Sequence, residues 1–184
     1  MPAMKRLFRI CLLSAAAFLL SGCAAEYQLG TTLPEDSRDV YIPAILNESG
    51  EPRAATELRR ALEKEIRREG TLHIVSDEAY ASTRLDVTVI RYEQQATAYN
   101  RASTQSPTEY RMALVAKVAF VKLPRAEAGQ TAERSLFGPK NIQGTESFTG
   151  GTDAVANKMS CLPKTAKKLA ESIVDACISP WPAR

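Results

Sequence analysis

The sequence predicts one α+β domain: a mainly antiparallel sheet of four to five strands with two helices packed on one face. Three observations predict it. Apolar residues recur at helical spacing over 55–66 and again over 162–178. Several segments between them alternate apolar and polar with period two. The 184 residues, 45% apolar and 24% charged, fill one core and are too few for two comfortable ones.

Charge placement excludes some function classes. Of 24 Lys and Arg, three (Lys5, Arg6 and Arg9) precede residue 23, where no Asp or Glu occurs. The rest of the chain therefore balances 21 basic against 21 acidic residues. A chain without excess charge is a poor non-specific nucleic-acid binder, so no nucleic-acid partner is expected.

The first segment reads as an address and an anchor. Behind the three cations, residues 10–20 form an apolar run, too short for a membrane span of roughly 20 residues and right for a secretory signal core. The run ends in Leu20-Ser21-Gly22-Cys23, which resembles the bacterial lipoprotein box. Residues 1–22 are thus expected to be a signal peptide, 23–37 a lipidated Cys23 and polar tether, and 38–184 the folded domain. Several acyl chains on one Cys anchor stably. Ala24 and Ala25 follow where an Asp would resemble an inner-membrane retention signal, so the expected place is the periplasmic face of the outer membrane.

Along the domain, 39–46 reads as a strand whose Pro43 cannot donate to a ladder and must sit at an edge or bulge. Residues 47–51 read as a turn and Pro52 as the first turn of a helix. Ala55, Leu58, Leu62 and Ile66 form that helix's apolar stripe, and Gly70 is its natural stop. Arg59, Arg60, Lys64, Arg67 and Arg68 fall largely on the other face, where solvation is the plain expectation. Residues 72–75 read as a second strand, making a βαβ-like unit of right-handed sense, with His73 packed or hydrogen-bonded.

Residues 84–92 alternate and read as a strand, 94–108 as a polar, turn-like connection, and 109–123 as the longest strand. The last places Met112, Leu114, Val118 and Phe120 on one face, with Arg111 and Lys117 on the other. After a hairpin loop over 124–132, residues 133–148 supply one more strand, interrupted near Gly138-Pro139. A glycine turn at 149–152 precedes a helix from near Asp153, and without a following Lys-Ser/Thr pair it is no phosphate loop. Leu162, Ala166, Leu169, Ile173 and Ile178 form the second stripe. Pro163 should kink or restart this helix, and Pro180 and Pro182 end it beside Trp181. Leu58, Leu62, Leu114, Val118, Phe120, Leu169 and Ile173 should share the core.

Cys161 and Cys177 would lie roughly 24 Å apart on one straight helix, so two separate thiols are expected. No G-x-S-x-G, H-E-x-x-H, C-x-x-C or G-x-G-x-x-G occurs, and the carboxylates are scattered. Neither an enzyme nor a cofactor or metal is expected.

The order strand, helix, strands, helix behind a lipobox resembles the LptE family of lipopolysaccharide-assembly lipoproteins. The residues that carry the resemblance are Tyr27-Gln28-Leu29 after the lipid Cys, 40–47 as the first strand and turn, Glu109-Tyr110-Arg111-Met112 opening the long strand, and 142–148 leading to a Leu-rich helix that ends at Trp181. Ala24-Ala25-Glu26 departs from the pattern and lengthens the tether. The resemblance implies a plug in the lumen of an LptD barrel that meets lipopolysaccharide on its way to the cell surface. It makes Arg101, eight residues before Glu109, a candidate lipopolysaccharide contact, with Lys158 early in the last helix as the second. A reading from another class stays open: a lipid-anchored periplasmic module that activates a peptidoglycan synthase or resembles TolB-N domains, with no barrel partner.

Overall fold

The computed structural model describes residues 33–100, 103–124, 132–151 and 153–179. The chain runs β1 (Asp39–Tyr41), β2 (Leu46–Asn47), α1 (Ala54–Glu69), β3 (His73–Val75), β4 (Thr83–Asn100), β5 (Ser103–Lys122), β6 (Arg134–Thr149) and α2 (Ala154–Ile178). The six strands make one sheet in the order β3-β1-β4-β5-β6, with β2 also on β4. The long β4, β5 and β6 pair antiparallel, whereas β1 is parallel to both β3 and β4, and β2 is parallel to β4. This is the expected α+β domain, with one addition.

That addition comes from Pro43. The expected strand 39–46 splits into β1 and β2, because a residue without an N–H cannot continue a ladder. The carbonyls freed there are taken by a helix side chain. Arg59 donates from Nη1 to Ile42 O at 3.2 Å and to Pro43 O at 2.8 Å. One member of the basic face expected to be solvated thus closes a gap in the sheet.

α1 buries Leu58, Leu62 and Ile66 completely, and Gly70 at φ +83° ends it by donating to Ile66 O at 3.0 Å. The left-handed conformation is the reason for glycine at that position. β3 returns parallel to β1, as the βαβ reading requires. His73 corrects its expectation: its side chain is exposed, while its backbone joins the β1–β3 ladder and its N–H donates to Arg38 O at 2.8 Å.

The polar, turn-like stretch 94–108 is a second correction. Most of it is strand: β4 and β5 stay paired up to Asn100 and Ser103, through irregular steps after Ala96. An earlier bulge after Val89 keeps Tyr92 on the helix-bearing face, opposite Leu114. β6 breaks register between Val118 and Phe120 of β5, at the cis Gly138-Pro139 bond, where the sequence places its interruption.

α2 lies on β6 and β5 and beside α1. Gly144 permits this close seat, since a Cβ there would stand 2.5 Å from Leu169 N and 2.7 Å from Thr165 O. The helix passes through Pro163 without restarting. Both Pro163 and Met159, the residue whose carbonyl loses its helical donor, are exposed, so water can serve that carbonyl. Thr165 Oγ1 donates to Cys161 O at 3.0 Å in the same stretch. Cys161 and Cys177 are buried, separate thiols, and all seven residues expected in the core are fully buried. Both helices follow a strand of one direction and return over the sheet, so α1 and α2 run the same way.

Candidate functional site

The candidate site is built where the first turns of α2 cross β4 and β5. Tyr92 and Met112 reach it from the strands, and Val155, Lys158, Met159 and Leu162 from the helix. Together with Glu51 and Arg53, before α1, they enclose a cavity of about 230 Å³. Helical spacing explains the helix group: 155, 158, 159 and 162 share one face. Asn157 ties that end of α2 down by donating to Thr149 O at 3.0 Å.

Lys158, the second lipopolysaccharide candidate, stands at the centre. Its Nζ lies 5.4 Å from the centroid of the Tyr92 ring and 3.8 Å from Glu51 Oε2. An ammonium over a ring face gains from the ring quadrupole, and the Glu51 carboxylate partly neutralises it. Burial pushes the Tyr92 hydroxyl up from its ordinary pKa, with Lys158 opposing. Above the cation, Val155 and Met159 expose 74% and 56% of their surface. A cation on an aromatic floor with an apolar rim suits an anionic amphiphile better than a free ion.

Arg101 lies outside the described residues, as do Cys23 and Trp181. Its neighbours are placed: Asn100 pairs with Ser103 at the end of the β4–β5 ladder. Asn100 is eight residues beyond Tyr92 on β4, roughly 26 Å at the rise of a strand. Glu51, Tyr92, Met159 and Val155 were missed by sequence reasoning; the only signal for them was two exposed apolar residues beside Lys158 on the helix. Among the described residues no group of His, Cys, Asp and Glu could hold a metal ion. No described helix is long and apolar enough to cross a membrane.

Comparison with known proteins adds the following. The family model described as LptE, lipopolysaccharide-assembly, matches residues 37–176. No curated protein matches. Among solved structures, the hypothetical protein CT253 from Chlamydia trachomatis aligns with a TM-score of 0.54 at 9% identity, over 74% of this chain and 92% of that one. The rare lipoprotein B from Shewanella oneidensis aligns at 0.47 and 12% identity, over 73% and 91%. The PelC dodecamer protein from Paraburkholderia phytofirmans aligns at 0.42 and 15%, over 82% and 95%. At these identities the first likeness concerns the fold alone.

Proposed function

The chain belongs to the LptE family of lipopolysaccharide-assembly proteins, and from that membership we propose that it is the lipid-anchored partner of an LptD barrel. In this reading residues 1–22 are removed, Cys23 carries the acyl chains, and residues 23–37 tether the domain to the periplasmic face of the outer membrane. The domain sits in the barrel lumen as plug and assembly partner, where lipopolysaccharide passes toward the surface.

The family match across residues 37–176 is the observation that carries this reading. The sheet face away from the helices supports it. Arg111, Lys117, Gln143, Thr145 and Ser147 are exposed there, around the small buried residues Ala113 and Val115. Such a face suits the polar interior of a barrel.

Affinity purification of the lipidated chain from detergent extracts tests the partnership. A co-purifying LptD barrel is expected; a peptidoglycan synthase in its place would favour the activator reading. Cys23→Ala should release the chain as a soluble periplasmic protein, and a mature N-terminus elsewhere in the mass spectrum would refute lipidation at Cys23.

Arg101 and Lys158 are the proposed lipopolysaccharide contacts. A guanidinium binds phosphate through two parallel bonds. Arg101→Glu should weaken lipopolysaccharide binding by about 1–3 kcal/mol, less as salt rises, with barrel association unchanged. Lys117→Glu, on the exposed sheet face, is the control. Equal binding by wild type and Arg101→Glu at low salt would reduce Arg101 to a surface charge.

A further inference from the structure

A second recess lies between the helices, on the side away from the sheet. Its volume is about 490 Å³, with Ala61 and the exposed Pro163 as its apolar lining. Arg60, Lys64 and Arg68 line one wall from α1, and Lys164 and Lys167 the other from α2. Only two carboxylates, Glu57 and Glu65, belong to the recess. Both are sunk and already engaged. The Glu57 side chain is 11% exposed and pairs with Arg53 at 3.0 Å and Arg60 at 3.8 Å. The Glu65 side chain is 7% exposed and accepts from Arg68.

The cations occupy the rim instead. Arg60, Arg68 and Lys167 keep 74%, 66% and 60% of their side chains in solvent, Lys167 pairing with Glu171 at 3.4 Å. Lys64 and Lys164 are exposed and stand outside these pairs. Five cations, two of them outside ion pairs, thus line one groove with Glu57, Glu65 and, beside Lys167, Glu171. Spacing defines the ligand further. Positions 60, 64 and 68 recur every helical turn, so the line of charge on α1 extends about 12 Å. A single phosphate needs no such length. A run of carboxylates along an extended segment does, and its apolar residues would meet Ala61 and Pro163.

We infer that the α1–α2 groove receives an acidic segment of the barrel partner, laid lengthwise between the two helices. The inference rests on the barrel reading above and identifies the helix face as one of its contact surfaces. Opposed rows of charge favour correct docking and speed encounter, and they reject a partner of like sign.

The test uses the full lipidated chain co-expressed with its LptD barrel. Lys64→Glu/Lys164→Glu should lower barrel recovery at least about tenfold at low salt, since it places like charges in contact. Both side chains are exposed, so the melting curve should not move. Lys64→Arg/Lys164→Arg should retain the barrel. Wild-type recovery by the double reversal overturns the groove and leaves the barrel reading intact. A wild-type chain that recovers no barrel overturns the barrel reading itself, and the groove's partner with it. Loss of binding to phosphatidylglycerol vesicles by the double reversal, with barrel recovery unchanged, assigns the groove to lipid and overturns the proposal.

Discussion

The β4–β5 hairpin contains two regions with the same antiparallel pairing and opposite environments. From Thr83 to Ile90, every second residue of β4 is buried; from Arg91 to Asn100, none is. The lower half lies beneath α1 and α2, where Leu85, Val89, Leu114 and Phe120 are fully buried. In the upper half Tyr92 and its neighbour Met112 still meet the first turns of α2, and beyond them the ladder continues to Tyr99, which is 54% exposed. Pairing between strands and burial of a face are separable. The first extends as far as the backbones stay in register, and the second only as far as something covers them.

The largest effect that could break this comparison is Leu114→Ala, in the shared core. It should cost about 2–5 kcal/mol in chemical denaturation, through lost burial and a residual cavity. A loss below about 0.5 kcal/mol would place that face in solvent. Gly144→Ala probes the cover itself. Its new Cβ would press on Leu169 and Thr165, and lifting α2 should cost about 1–3 kcal/mol.

A smaller effect is pH dependence where the helices meet. Hydrogen bonds from Arg68 hold the Glu65 carboxyl below its ordinary pKa against the opposing effect of burial. A depressed pKa contributes stability above the unfolded value of about 4.3, and that contribution is lost as pH falls through the lower folded value. Glu65→Gln should flatten this part of the stability profile in acid titrations followed by circular dichroism. An unchanged acid limb would mean that Glu65 is not the group titrating. The smallest effect belongs to the upper half: Tyr99→Ala should stay within about 0.5 kcal/mol of wild type. A cost equal to that of Leu114→Ala would erase the distinction between the halves.

The same contrast explains what the sequence made legible. Leu58, Leu114 and Leu169 were found because periodic burial writes a period into composition. Residues 94–100 are turn-like in sequence because a strand wet on both faces has no such period. Pro43 signalled a break, but nothing local revealed that Arg59 would serve the freed carbonyls from sixteen positions away. The candidate site followed the same rule. Lys158 was identified as a cation, yet its partners Glu51 and Tyr92 come from segments distant in sequence. Exposed His73 corrects a packing expectation because β3 has only three residues and lies at the sheet edge.

The common direction of α1 and α2 has an electrostatic consequence. Each helix behaves as about half a positive charge at its N-terminus and half a negative charge at its C-terminus. In an antiparallel pair these would cancel; here they add. The domain therefore carries a permanent dipole along its helices, in addition to its side-chain charges. Its positive pole lies beside Lys158, and its negative pole at the opposite end. An external field, or a charged wall around the domain, would exert a torque on it before any contact formed.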